Sequence, residues 1–395
     1  MRGYMVRVEQ MIKRSSCNDG EYFEQIADML QQIHAKIPQV HLDLLKVPVA
    51  ADIREENYFG VNYKRVIIYL LTNGCEWALK EGNGCVMCGH LAKQLRTNET
   101  LDYRDLQHQF RDEFRKLDFG KHPVLNLYNN GSFFNDREIP KNARTEILEQ
   151  IKDNTDVKVL VLESRPEYIN EDTLEELTAT AKTHYVEIAV GLEVIDDLVR
   201  LICINKGFRL ESFDLAISAV NKMKNNNINM RTYVLLKPPF LTEREGIEHA
   251  IRTIGYAGEK GCSAVSLEAC TIQEYTLTQI LYESGNYRPP WLWSIVEVIK
   301  KSTDQIKLVA GLFQFFPSSQ KVPYNCDDCS ERVIEALKEY NRTFDLAVFD
   351  HLDCDCKKEW YKEINEPHPV FEERIPDIFN TLKSINIQLQ DVEKE

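Results

Sequence analysis

Residues 65–90 read RVIIYLLTNGCEWALKEGNGCVMCGH, an apolar, β-branched run followed at once by three cysteines. Positions 65–71 have the composition of a buried strand, and Cys75, Cys85 and Cys88 form a C-x9-C-x2-C set directly behind it. Three thiolates can hold three irons of a [4Fe–4S] cube and leave the fourth without a protein ligand, open for chemistry. With His90 the same three would also make a Cys3His zinc site.

Further runs of the same kind follow at 124–128, 157–162, 185–190, 230–236, 263–268 and 307–312, and amphipathic helical patterns lie between them. Strand then helix, six or seven times, predicts a parallel sheet with right-handed crossovers: an α/β fold, a partial (β/α)6-type barrel over residues 61–315. Working residues of such a barrel sit behind the C-terminal ends of its strands. There the sequence places Cys75, then Gly131 and Ser132, Glu163 and Arg165, Gly191 and Glu193, Lys237 before Pro238 and Pro239, and Glu268. A structural zinc knuckle has no reason to follow the first barrel strand, whereas a cofactor at the mouth does, so position favours the cluster.

Outside the barrel, Phe23, Ile26, Leu30, Ile33 and Ile37 fall at helical steps and Pro38 ends the pattern, so residues 1–60 read as a helical extension with an irregular connector. Residues 316–395 read as a cysteine-rich module whose last residues fray. Its Cys326, Cys329, Cys354 and Cys356 are four thiolates in two close pairs. They suit a tetrahedral zinc ion, favoured here, or an auxiliary [4Fe–4S] cluster. The lone Cys17, Cys203, Cys262 and Cys270 are expected to be small buried hydrophobes.

Composition is that of a soluble globular chain, 43% hydrophobic and 28% charged. No run approaches a membrane span and the N-terminus lacks a signal-peptide pattern, so a cytoplasmic location without membrane contact is expected. There thiols stay reduced, which turns clustered cysteines toward metal. With 48 basic and 62 acidic residues, net −14, broad non-specific attraction to nucleic acid is disfavoured.

Three cysteines behind the first strand of a partial barrel resemble the radical S-adenosylmethionine superfamily. The long first gap is similar to its tRNA-modifying branch with the Elp-type proteins, rather than to the commoner C-x3-C-x2-C. GSF at 131–133, ESRPEY at 163–168, VEIAVGLE at 186–193, NKGF at 205–208, RTYVLLKPPF at 231–240, YRPPWLWS at 287–294 and the C-terminal NCDDC and CDC resemble the archaeosine-type members. The resemblance runs from about residue 60 to about 365. It implies a [4Fe–4S] cluster on Cys75, Cys85 and Cys88 with S-adenosylmethionine on the open iron.

The resemblance further implies that the Gly131–Ser132 turn presents backbone to the methionyl amino group, although an ordinary strand-to-helix turn explains it as well. Glu163 and Arg165 would bind ribose or ammonium and a carboxylate respectively, or else pair with each other. Gly191 and Glu193 would lie beside the adenosyl group. Lys237 and Glu268 are the candidate catalytic residues, with a paired structural charge the alternative for Lys237. Trp291 and Trp293 would either stack on a nucleobase or pack the last helix.

The implied activity is a radical enzyme acting on a lysine adduct of 7-deazaguanine in tRNA, breaking a C–N bond to leave the formamidine of archaeosine. It would need a reductant such as ferredoxin or flavodoxin and a tRNA-binding partner. Two alternatives remain open: a radical enzyme on a small nucleoside or sugar, inserting sulfur from an auxiliary cluster, and a non-catalytic Fe–S or zinc scaffold.

Overall fold

The computed structural model describes residues 19–38, 49–80, 83–93, 102–223, 227–314 and 317–392; Cys17 lies outside them. Its strands are β1 (Val49–Tyr58), β2 (Val61–Tyr69), β3 (Val124–Tyr128), β4 (Val159–Glu163), β5 (Tyr185–Glu193), β6 (Ile228–Leu236), β7 (Ala264–Ala269) and β8 (Leu308–Ala310). They form one sheet in chain order. From β2 onward every pairing is parallel, while β1 runs antiparallel to β2.

The longer helices are α1 (Asp19–Ala35), α2 (Tyr103–Phe114), α3 (Lys141–Lys152), α4 (Leu210–Lys222), α5 (Glu243–Lys260), α6 (Leu292–Ser302), α7 (Ser330–Thr343), α8 (Lys357–Asn365) and α9 (Phe371–Val392). Along each strand one face meets these helices and the other lines the lumen. On β3, Leu125 and Leu127 enter the helix-facing core, and Val124 and Tyr128 join the lumen cluster. Each such Leu or Ile, fully buried, contributes roughly 1.5–3 kcal/mol. None of the described helices is long and apolar enough to cross a membrane.

Contacts between strands that are not neighbours prove that the sheet curls. The hydroxyls of Tyr128 on β3 and Tyr233 on β6 meet at 3.1 Å. Arg231 on β6 reaches Glu56 on β1 at 2.5 Å. Seven parallel strands therefore form the partial barrel, and an eighth, antiparallel one pairs along β2 at the edge of the same sheet. That strand falls where an irregular connector was expected, because Asp52, Arg54, Glu55 and Glu56 oppose strand propensity. Tertiary pairing overrides propensity: Glu56 holds Arg65 at 2.5 Å, and Tyr58 donates to Glu187 at 2.8 Å.

The C-terminal helices continue the barrel wall. Cys329, Val333, Leu337, Tyr340 and Trp360 belong to the same buried core as the barrel strands. The Tyr340 hydroxyl donates to the Leu308 carbonyl at 3.0 Å. Helices α1 and α9 meet through Gln32 and Asn386, 3.2 Å apart, and share a second core with Val86 of the cysteine loop.

Candidate active site at the barrel mouth

Behind β2 the chain enters a cysteine loop clamped from two sides. The Val86 amide donates to the Ile204 carbonyl at 3.0 Å, and the Thr278 hydroxyl donates to the Val86 carbonyl at 2.9 Å. The Gly89 amide donates to Gln273 Oε1 at 2.7 Å. A Cβ on Gly89 would stand 2.8 Å from the Gln273 Cβ and 2.9 Å from the Glu274 carbonyl oxygen, so only glycine lets the loop sit this close. Asn205, left-handed at the end of a π-helical turn (Arg200–Ile204), donates to the Gly84 carbonyl at 2.7 Å and accepts from the Trp77 indole at 2.7 Å.

Burial pushes the Cys75 thiol up to about 12 and the Cys85 thiol up to about 11, and also raises Cys88. Nearby cations oppose this: Arg165 acts on Cys75 and Cys85, and Lys206 on Cys85 and Cys88. Thiols flanked by fixed positive charge are suited to serve as thiolate ligands. His90 is half-buried, and desolvation holds it below the ordinary histidine range.

Four of the expected cofactor residues do meet here. The Phe133 amide donates to the Glu163 carbonyl at 2.8 Å, and the Arg165 amide donates to Ser132 Oγ at 3.2 Å, which sets the 131–133 turn against the end of β4. The face that the turn presents is occupied by Glu138. Its Oε2 accepts from the Ser132 amide at 2.5 Å and from Asn129 at 3.1 Å, and a Cβ on Gly131 would overlap it. Arg165 and Glu163 do not pair with each other: Arg165 binds Glu167 at 2.6 Å, with its guanidinium 5.5 Å from the ring centres of Trp77 and Phe208.

At the end of β5, Glu193 adopts a left-handed φ of 67° and accepts from Lys206 at 2.7 Å over Gly191. Burial lifts Glu163 and Glu268 alike to about 7. Both project into the lumen, Glu163 in line with Val159 and Val161, and Glu268 in line with Ser266 beside Arg231.

Lys237 stands apart from this group. Its buried ammonium meets Glu243 at 2.6 Å and Glu363 at 3.7 Å, between α5 and α8. The alternative of a paired structural charge describes its surroundings. Trp291 and Trp293 are likewise packed, not displayed: Trp291 donates to Glu363 at 2.7 Å, and Trp293 donates to Cys356 Sγ at 3.4 Å.

Trp293 leads to the second cysteine group. The sulfurs of Cys326 and Cys329 are 3.6 Å apart, Cys326 and Cys354 3.5 Å, and Cys329 and Cys356 3.6 Å. All four lie within 4.8 Å of one another, a gathering among the described residues that Cys75, Cys85 and Cys88 do not share. Asn325 donates to Cys329 Sγ at 3.6 Å.

Glu138, Lys206 and Trp77 were not singled out by sequence reasoning, which looked only at positions directly behind strands. Lys206 sits within the quoted NKGF motif, and that motif was the available signal. Glu138 lies seven residues beyond Gly131 on an irregular loop, with no spacing to mark it.

No family model matches the chain. It is 31% identical over 306 residues to archaeosine synthase subunit beta of Methanosarcina acetivorans, covering 77% of this chain and 86% of that protein. It is 32% identical over 368 residues to the uncharacterized protein MJ0550 of Methanocaldococcus jannaschii, covering 88% and 98%. Among solved structures, the Elp3 of Methanocaldococcus infernus superposes with a TM-score of 0.43 at 16% identity, over 58% of each chain. The chain belongs to the archaeosine synthase subunit beta family, the family that its motifs resemble.

Proposed function

We propose that Cys75, Cys85 and Cys88 hold a [4Fe–4S] cluster at the barrel mouth and that the chain is a radical S-adenosylmethionine enzyme. The observation that carries this reading is the clamped loop of three half-buried thiols facing Arg165 and Lys206. Thiolates that share one tetrahedral ion at about 2.3 Å stand about 3.8 Å apart, and Cys75, Cys85 and Cys88 are not gathered as closely as the C-terminal four. When bound, the cluster would supply an electron to S-adenosylmethionine, giving methionine and a 5′-deoxyadenosyl radical that removes a hydrogen atom from substrate.

The chain's own groups would orient the reactants and exclude water. Glu138 fixes the 131–132 turn. Arg165 and Lys206 keep positive charge beside the thiolates, and the Lys206–Glu193 pair lies over Gly191, where the adenosyl group is expected. Lys237, paired with Glu243, positions the end of β6 rather than touching substrate.

The family supports a substrate in tRNA, a lysine adduct of 7-deazaguanine, with cleavage of the C–N bond that joins the lysine side chain to the amidine. The relatives' name describes a subunit, which agrees with a tRNA-binding partner for a chain of net charge −14. A ferredoxin or flavodoxin would supply electrons. The S···S separations of 3.5–3.6 Å in the C-terminal tetrad favour one tetrahedral ion such as zinc over an auxiliary cluster, and so weigh against sulfur insertion.

Anaerobic reconstitution followed by dithionite and S-adenosylmethionine tests the reading. 5′-Deoxyadenosine should form with the native chain and not with Cys85→Ala. A fully iron-loaded native chain that forms none would defeat it.

A further inference from the structure

Residues 287–294, YRPPWLWS, run between the two cysteine groups and are hydrogen-bonded toward both. At the tetrad end, the Trp293 indole donates to Cys356 Sγ at 3.4 Å. The Trp293 amide donates to Asn325 at 3.2 Å, and Asn325 in turn reaches Cys329 Sγ at 3.6 Å. Cys356 caps the start of α8, and α8 returns to the segment twice. Its Trp360 donates to Ser294 Oγ at 2.9 Å, and its Glu363 accepts from the Trp291 indole at 2.7 Å and meets Arg288 at 3.3 Å.

At the other end, the Tyr287 hydroxyl donates to the Lys237 carbonyl at 2.7 Å, and the Tyr287 amide donates to the Leu281 carbonyl at 3.0 Å. That second bond closes the short helix Leu277–Glu283, whose Thr278 holds the Val86 carbonyl of the cysteine loop. Leu277, Leu281, Tyr287 and Val86 share one buried core. Between the two ends, Ser294 Oγ and the Trp291 amide both donate to Glu243, the partner of Lys237. An aromatic wall needs only burial. Here Tyr287, Arg288, Trp291, Trp293 and Ser294 each also direct a polar side-chain atom to a partner outside the segment. Pro289 and Pro290 fix two backbone angles in the middle, so a displacement at one end is passed on rather than absorbed.

We propose that residues 287–294 are a strut through which the metal-loaded C-terminal tetrad holds the clamp on the cysteine loop closed, with Glu363 as the positioning residue that ties α8 to it. Metal on the tetrad fixes Cys356 and with it the start of α8, and the Trp293 hydrogen bond to that sulfur sets the strut against the metal site. Without metal nothing draws the four sulfurs together, and Trp360 and Glu363 lose the anchor that holds them to Ser294 and Trp291. The strut rests on the proposed function only for what the cysteine loop carries.

The test is the rate at which iodoacetamide alkylates Cys85 and Cys88 in the iron-free, full-length chain under anaerobic conditions, read by mass spectrometry. The native chain with its tetrad loaded is compared with Cys326→Ser combined with Cys354→Ser, metal content being measured in both. Emptying the tetrad should speed alkylation at least about tenfold by releasing the clamp, while Cys262 in the barrel core reacts no faster and so reports an intact barrel. Glu363→Ala leaves all four cysteines in place. It should keep the tetrad metal and still speed alkylation, and emptying the tetrad should then add little. Glu363→Gln, which still accepts from Trp291, should restore most of the native rate. Equal rates in native and tetrad-emptied chains, an unchanged rate in Glu363→Ala, or effects of the two changes that simply multiply would overturn the strut. A loop that responds to the tetrad in a chain that binds no iron at the mouth would sink the proposed function and leave the strut standing.

Discussion

Lys206 and Glu193 meet at 2.7 Å directly over Gly191, and a Cβ at residue 191 would come within 2.7 Å of the Lys206 ammonium. Both neighbours are ends of flexible side chains, so Gly191→Ala can be accommodated by moving the pair aside. We expect a stability change of about 1 kcal/mol and at least a tenfold loss of S-adenosylmethionine affinity by equilibrium dialysis, with iron content unchanged. Retained affinity would place the adenosyl group elsewhere.

Gly89→Ala makes the contrasting case, because the obstacles are the Gln273 Cβ and the backbone oxygen of Glu274, which cannot swing away. The cysteine loop should lift from its clamp at a cost of about 1–3 kcal/mol. Iron bound after reconstitution should fall well below that of the native chain, while the metal on the C-terminal tetrad persists, both read by elemental analysis.

Glu163 and Glu268 link stability to pH. Each is raised from 4.5 to about 7 in the folded chain, so the folded state holds protons that the unfolded state releases. Stability therefore falls as pH rises from about 4.5 through 7. The combined Glu163→Gln and Glu268→Gln variant should lose most of that slope, gaining on the order of a few kcal/mol at pH 8.5 relative to pH 5. Denaturant melts at the two pH values check it, and parallel slopes in both proteins would refute it.

Glu56 behaves oppositely. Arg231 and Arg65 hold its carboxyl down at about 2 despite burial. Its contribution is complete above pH 4.5 and is lost only as pH falls through about 2. Glu56→Gln leaves the buried Arg231 and the half-buried Arg65 short of a partner and should cost about 3–5 kcal/mol, against little for Glu55→Gln on the exposed face of the same strand.

The parallel strands were legible because β-branched runs such as VLNLY and VLVLE have no other stable home than a sheet covered by helices. The cysteine loop was legible because spacing survives any uncertainty in packing. Strand β1 was not, since Glu56 and Arg54 become strand residues only once distant partners are in place. Lys237 follows β6 as the strand-end rule expects, with a left-handed φ of 52°, and its buried ammonium pairs with Glu243 on α5, a partner that strand position does not announce. Trp291 and Trp293 carried two readings because an aromatic run looks the same whether it stacks on a base or fills a wall. Lys206 and Glu138 act from loops, where no periodicity points to a target.

The pairing of β1 across the lumen bears on the order of events in synthesis. Tyr58 finds Glu187 at a separation of 129 residues and Arg231 at 173. Among the first barrel segments to leave the ribosome, the β1–β2 hairpin can pair Glu56 with Arg65 at once, but Tyr58 lacks its distant partners until β6 has followed, and loop closure over such distances is slow. During that interval Glu56 and Arg65 remain hydrated, which keeps the nascent hairpin soluble until the floor of the barrel closes over it.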